Sequence, residues 1–283
     1  MPYDFNFGSS TAKGGFLTEK EVVKKFNNWQ RDKDAQQWLK IMGYRLEEVK
    51  DLKAIPIPVR VSKKFLESLG LGNIESYDEF LAFKKADLQV RVYVNVNGIW
   101  KVENISVKKT KDKANFNQVD KRRVSEYKKY WNFSDKIETA LKLFTGELPP
   151  QTHPEFLKIP LAKLRDKRRI FLDELRSEIL NDIIQFFNEN KVLVIADVLK
   201  GRGALSADWI LVLHIQKDKS FWTLKDINTA MNIYSQGEVK LSAKGSLWIG
   251  NIFMQRKGGT PDPEKLQFKI NPLLLFEKRK KQT

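Results

Sequence analysis

The stretch KKADLQVRVYVNVNGIWKVENISVKKTKD, residues 84–112, leaves the fewest ways to fold. Leu88, Val90, Val92 and Val94 alternate with Gln89, Arg91 and Tyr93. That is the period-two pattern of a half-buried strand. Asn97-Gly98 follows, the dipeptide that best supplies positive φ in a tight hairpin turn. A second strand then runs over about 99–108, with Ile105 and Val107 on one face and Asn104, Ser106 and Lys108 on the other. Asp87 heads the first strand and Lys108 stands near the end of the second, so the hairpin brings the two ends together. A carboxylate beside an ammonium suits a site that holds a divalent metal and a phosphate.

Composition points to the same kind of partner. The 283 residues carry 51 Lys and Arg against 35 Asp and Glu, a formal charge of +16. Such an excess favours a polyanion, nucleic acid first and an anionic membrane surface second. No cysteine is present, which rules out disulfides, a thiol nucleophile and a thiolate zinc site, and fits a reducing cytoplasm. Neither His153 nor His214 has metal spacing to a second ligand, and His214 reads as structural within a strand. No Ser/His/Asp order, repeat or heptad stands out, and KGRG at 200–203 lacks the frame of a phosphate-binding loop. The N-terminus has no leader pattern and no apolar run is long enough to span a bilayer. A soluble, cytoplasmic protein is expected.

Along the chain, 1–15 reads as a polar arm. Thr18 and Glu21 have capping-box spacing and open a helix with Val22, Val23, Phe26 and Trp29 as its apolar stripe. Glu19 and Glu21 in its first turn either complement the positive helix end or serve a metal. Helices are expected at 34–42, 46–52, 119–131, 134–145, 166–189 and 224–234, with two short ones in 56–83. The apolar run 192–198 reads as a buried strand. KGRG is then a hairpin turn, 207–215 the next strand, 238–243 and 245–259 two more, and 266–270 a sheet edge. Phe116, Asn117 and Gln118 precede the 119–131 helix. On its residues alone Phe116 reads as a core residue at a helix start. Lys121, Arg122 and Arg123 either clamp phosphates or form a solvated basic face. Gln255, Arg256 and Lys257 end a strand. Glutamine and arginine there suit adenine and guanine edges, or simply flank a turn. The tail 277–283 adds non-specific positive charge.

An acid at the head of a hairpin followed by x-x-K on the next strand resembles the PD-(D/E)xK nuclease site. The wider chain resembles the HinP-type type II restriction endonucleases, relatives of MspI that cut GCGC. The motifs that carry this are GSSTAKGGFLTEKE (8–21), WQRDKDAQQWLKIMG (29–43), FNQVDKRRV (116–124), LFTGELPP (143–150) and DKRR (166–169). VLVIADVLKGRGALSADWILV (192–212), MQRKGG (254–259) and LQFKINP (266–272) continue it in order. The resemblance implies a single α/β domain over 1–283, restriction-endonuclease-like, with a mixed central sheet flanked by helices and an atypical insertion at about 60–83. It implies Mg²⁺-dependent cleavage of double-stranded DNA, with Asp87 and Glu19 at the metal and Asp87, Ser106 and Lys108 as the catalytic set. It makes Phe116 an intercalating residue and Gln118 a base reader; by their residue types Asn117, Lys121, Arg122, Gln255, Arg256 and Lys257 are also expected on the DNA. It implies a host DNA methyltransferase as functional partner and leaves room for a homodimer. One position departs from the pattern. Ser106 stands where that branch has glutamine and the superfamily usually an acid, so a non-cleaving DNA-binding protein on the same fold is the alternative.

Overall fold

A computed structural model describes residues 7–10, 19–72, 77–94, 98–111, 116–216, 219–258 and 264–276. In chain order the described elements are β1 (Phe7–Ser10), α1 (Glu19–Asn27), α2 (Lys33–Ile41), β2 (Val49–Pro56), α3 (Lys63–Ser68), α4 (Tyr77–Phe83), β3 (Leu88–Val94), β4 (Ile99–Lys111) and β5 (Asn117–Arg122). There follow α5 (Val124–Trp131), α6 (Asp135–Thr145), α7 (Ser177–Glu189), α8 (Lys191–Ile195), β6 (Trp209–Gln216), β7 (Lys219–Asp226), α9 (Ile227–Ser235), β8 (Val239–Leu241), β9 (Leu247–Ile249), β10 (Ile252–Arg256) and β11 (Leu266–Ile270). This is a mixed α/β fold. The chain, expected as one domain over 1–283, falls into two compact units, one built from 1–117, 199–231 and 272–283, the other from 118–198 and 232–271. No helix among the described residues is long and apolar enough to cross a membrane.

The first unit is built on a six-stranded sheet in the order β1-β7-β6-β4-β3-β2. Only β4 and β6 run parallel; every other neighbouring pair is antiparallel. In the hairpin Leu88 stands opposite Ile105 and Val94 opposite Ile99, two residues from the register that a two-residue turn at Asn97-Gly98 would set. Gly98 has φ +62, and Asn97 lies outside the described residues. One face of the sheet is covered by α1 and α2. Val22, Phe26, Trp38 and Leu39 pack there with Leu88, Val90, Val92 and Trp222. The Phe26–Trp38 and Trp38–Trp222 ring pairs, 5.0 and 5.6 Å between centroids, each contribute roughly 0.5–1.5 kcal/mol beyond their buried area. Asn27 docks α1 on the edge strand: its amide donates to the Ala54 carbonyl (3.1 Å) and accepts from the Ala54 N–H (2.8 Å). That pair satisfies an edge backbone which no further strand covers among the described residues.

The second unit carries a five-stranded sheet, β5-β11-β10-β9-β8. Several expectations are corrected here. Residues 192–198 are helical, not a strand: α8 runs into a π-turn at Ala196–Lys200. Val194, Ile195, Val198 and Leu199 share the buried helical face, while Val192 is 71% exposed. A doubly buried strand would have hidden all of them. Residues 117–122 are a strand, and the helix expected from 119 begins only at Val124. Alternation decides this, because Asp120 and Arg122 turn to the same buried side. The long helix expected at 166–189 begins at Ser177. Before it, the buried Glu174 carboxylate accepts the N–H groups of Arg165 (3.0 Å) and Phe171 (2.7 Å) and holds a loop. Stretch 245–259 is a hairpin, β9 and β10, because Gly250 (φ +59) turns the chain where a Cβ would lie 2.6 Å from the Tyr234 carbonyl oxygen. β11 lies inside the sheet between β5 and β10, not at its edge. In the first unit, only Leu46–Glu48 of the expected 46–52 helix is helical, and β2 takes the rest.

Candidate active site

Asp87 is the residue before β3. Its N–H donates to the Ile105 carbonyl (2.9 Å) and its carbonyl accepts from Ile57 N–H (3.0 Å), so its backbone continues the sheet on both sides. Its carboxylate turns toward β4. Oδ2 accepts from Val107 N–H (2.6 Å), Ser106 Oγ (3.2 Å) and Lys108 Nζ (3.4 Å). Three consecutive residues thus converge on one oxygen. Oδ1 accepts no hydrogen bond among the described residues. Lys108 Nζ also donates to the Val107 carbonyl (3.2 Å). Ser106 is a donor to Asp87 in this arrangement.

The segment before Asp87 is clamped from behind. The N–H groups of Lys85 and Ala86 both donate to the Leu205 carbonyl (3.0 and 3.1 Å), and Arg202 N–H donates to Phe83 (3.3 Å). Gly201, at φ +72, lies so close that a Cβ would stand 2.0 Å from the Phe83 carbonyl oxygen. Glycine alone fits there. The KGRG turn therefore braces the hairpin that carries Asp87 and Lys108, and Arg202 stacks over the Phe83 ring (4.9 Å). The segment read as an insertion forms its own small core: Val61, Leu66 and Leu69 pack with Ile57, Ala86 and Leu205. Arg91 ties it to the hairpin by donating to the Leu69 carbonyl (2.8 Å) and to Gln89 (3.0 Å). Gln89 donates on to Asn104 (3.0 Å), and Asn104 to the Ala204 carbonyl (2.9 Å). The polar face of β3 is a buried hydrogen-bonded chain and not a solvated one.

Glu19 opens α1 and joins the same field. Burial raises its pKa above the ordinary carboxylate value, and the Asp87 charge raises it further, against Lys108 and Lys84. Lys84 is a member that the sequence reading missed. Its ammonium donates to the Pro58 carbonyl (3.0 Å). Burial lowers its pKa; Asp87 and Glu19 oppose that shift and Lys108 adds to it. The only signal for Lys84 was a lysine three residues before the acid. Two carboxylates and a hydroxyl are hard oxygen donors, and the two lysines complement a phosphate.

The chain matches the model of the R.HinP1I restriction endonuclease family over residues 68–276. It belongs to that family. Members are type II restriction endonucleases, and site-specific cleavage of DNA is the activity of this one. The match begins inside the 60–83 segment, so motifs 8–21 and 29–43 lie outside it. Among solved structures, the chain is similar to the crystal structure of restriction endonuclease MspI in complex with its cognate DNA. The TM-score is 0.51 at 14% identity, over 89% of this chain and 83% of that one. That is a likeness of fold. A comparison with curated proteins finds no match.

The endonuclease's remaining candidate residues meet different fates. Phe116 is 43% exposed. Asn117 donates its amide to the Lys109 carbonyl (2.7 Å), which tethers it to β4. Gln118 is exposed and Lys121 partly buried. Arg122 is corrected: it is buried between Asp120 and Asp197, with N–O distances of 2.6 Å to each. Its guanidinium stacks on Tyr127 (4.3 Å), so it holds the second unit together and cannot clamp a phosphate. Arg123, beside it, is exposed and pairs with Glu264 (3.0 Å). Arg256 is a brace: Nη1 donates to the Arg169 and Ile170 carbonyls (3.0 Å each), and its guanidinium lies 3.9 Å over Phe171. Burial and then Arg169 push its pKa down to about 10. Lys257 is partly buried. Gln255 donates to Gln267 (2.8 Å), a residue that sequence reasoning passed over.

Proposed function

We propose that this endonuclease hydrolyses double-stranded DNA at a short GC-rich palindrome, GCGC by family likeness, with Mg²⁺. The observation that carries the catalytic assignment is the convergence of Val107 N–H, Ser106 Oγ and Lys108 Nζ on Asp87 Oδ2. Asp87 and Glu19 would hold the ion. No group of three or more His, Cys, Asp or Glu that could hold a metal occurs among the described residues. Mg²⁺ needs no such cage, since it binds through one or two carboxylates and keeps several waters. The mutual repulsion of Glu19 and Asp87 also favours a cation beside them. When bound, Mg²⁺ supplies Lewis-acid polarisation of the scissile phosphate and a more acidic water.

The protein's own residues do the rest. Val107 N–H and Ser106 Oγ fix the Asp87 carboxylate, so its orientation is set before substrate arrives. Ser106 thereby serves through Asp87, which is compatible with the loss of an acid at its position. Lys108 hydrogen-bonds the attacking water and meets the negative charge that grows on the phosphate. Phe116, exposed next to β5, would wedge between base steps. A methyltransferase of the same specificity would protect host DNA.

The test is digestion of unmethylated plasmid with Mg²⁺ beside Lys108→Ala, with the fragment ends sequenced. Discrete fragments that disappear in the variant support the reading and give the site. No fragments from the wild type, with tight sequence-selective duplex binding, would replace it with a non-cleaving binder.

A further inference from the structure

Three glutamines stand side by side on three neighbouring strands of the second unit. Gln255 on β10 and Gln267 on β11 are register partners. Gln255 Nε2 donates to Gln267 Oε1 (2.8 Å), and Gln267 Nε2 donates to Gln118 Oε1 on β5. Gln118 is exposed and the other two are half-buried. The row has direction. Each amide uses its oxygen on one side and its nitrogen on the other, so Gln118 keeps its NH₂ group and Gln255 its oxygen.

We propose that Gln267 is a specificity-determining residue that couples the two ends of this amide ladder, so that Gln118 and Gln255 read one keto base and one amino base together. The inference rests on the DNA-cleaving function proposed above. A primary amide has one donor end and one acceptor end. A row of three therefore has only two fully bonded arrangements, related by flipping all three amides at once. In either, one end of the row presents a donor and the other an acceptor. Both ends cannot donate unless a bond in the middle breaks, and a half-buried polar group then loses its partner. In the arrangement observed, Gln118 offers a donor, which fits the O6 of guanine or the O4 of thymine. Gln255 offers an acceptor, which fits the N4 amino group of cytosine or the N6 of adenine. A site made of guanine and cytosine satisfies both ends.

β10 is anchored for such a task. Directly after Gln255, Arg256 is bonded to two backbone carbonyls and stacked on Phe171. The ladder's own bonds then fix side chains that would otherwise rotate freely. LQFKI hid the residue because a polar side chain within an alternating strand reads as a solvated face.

Two substitutions separate coupling from simple support. Gln267→Met keeps the length and apolar stem but removes both bonds. Gln267→Glu accepts at both oxygens, so Gln255 keeps its orientation while Gln118 must turn its NH₂ inward and its oxygen outward. Full-length proteins are assayed for cleavage of duplexes carrying the site found by fragment sequencing, and of every single-base-pair variant of it. The expected result for Gln267→Met is that discrimination falls about tenfold or more at two positions, one for each end of the row. For Gln267→Glu, preference shifts from a keto to an amino base at one position only, with the other unchanged. Ratios between duplexes are read, so the overall loss of affinity from an added negative charge cancels. Unchanged ratios in both variants, with wild-type discrimination intact, would overturn the coupling. A wild type that cuts without base preference would instead overturn the function it rests on.

Discussion

Each unit of the endonuclease builds an acid–base cluster around a strand, and the two clusters are opposite in kind. In the first, Lys108 Nζ lies 3.4 Å from Asp87, and the side chains remain 16% and 27% exposed. In the second, Arg122 lies 2.6 Å from both Asp120 and Asp197, with exposures of 4%, 6% and 0%. Tyr127 Oη donates to Asp120 (2.9 Å) and Trp131 Nε1 to Asp197 (2.8 Å), which adds neutral donors around the acids. The buried cluster uses its charges on one another. The open one leaves Asp87 Oδ1 without a hydrogen bond among the described residues and places Glu19 in the same field. Residue type does not distinguish a reactive site from a brace; distance, exposure and unspent bonding capacity do.

The comparison breaks most sharply under two substitutions. Asp87→Asn keeps an oxygen to accept the Val107 N–H, so the hairpin survives, but it removes the charge proposed to hold the cation. Cleavage is expected to fall by about 10³-fold, with the melting midpoint little changed, because a partly exposed ion pair contributes only roughly 0–1 kcal/mol. Arg122→Met should do the reverse. It strands two buried carboxylates and is expected to destabilise the second unit by about 3–5 kcal/mol. Urea denaturation checks this. Lys121→Met, next door and partly buried, should change stability by no more than about 0.5 kcal/mol. Equal effects at 121 and 122 would end the distinction.

That contrast also shows what could be read in advance. The hairpin and the nearness of Asp87 to Lys108 followed from alternation and a turn signal, but the register did not: a two-residue turn at Asn97-Gly98 would set Val96 opposite Ile99, where Val94 stands. The helix at 134–145 and a short one within 56–83 were expected too, and serine caps that the sequence reading did not use open them: Ser62 accepts from Phe65 N–H (3.2 Å) and Ser134 from Ile137 N–H (3.3 Å). In DKRRV, however, three consecutive cations look alike. Only the strand geometry of β5 sends Arg122 inward and leaves Arg123 out, and the sequence reads as a helix from 119. The apolar run 192–198 carried the same ambiguity, since a short buried strand and a short buried helix share a composition. Lys84, Gln267 and the brace at Gly201 depend on partners far along the chain, which no local pattern exposes.

Ser106 sharpens the open cluster. It is 5% exposed and donates to Asp87. Ser106→Asp would trade that donor for a second carboxylate against Asp87. The Mg²⁺ concentration for half-maximal cleavage should fall several-fold, while the metal-free protein melts earlier from the added repulsion. A higher Mg²⁺ requirement would place the ion away from this residue.

The smallest effect concerns Glu19, and its sign is the informative part. Burial and the Asp87 charge raise the folded-state pKa above the ordinary carboxylate value of 4.5. The folded protein therefore holds that proton more tightly than the unfolded chain does. Stability from this group is greatest below the unfolded pKa and declines as pH rises through the raised folded value. At neutral pH, in a chelator, ionised Glu19 is a liability. Glu19→Gln should then melt slightly later than the wild type. The difference should vanish only well below the ordinary value of 4.5, where the carboxyl is protonated in both states. Mg²⁺ should reverse it, since the wild type, with two carboxylates at the ion, gains more from it than a variant left with Asp87 alone. Because Glu19 is largely solvent-exposed, screening limits the gain to a small one. A Glu19→Gln protein that melts earlier at neutral pH without metal would show that the carboxylate stabilises the start of α1 and does not oppose Asp87. The first cluster would then resemble the second, with its charges already spent on the fold.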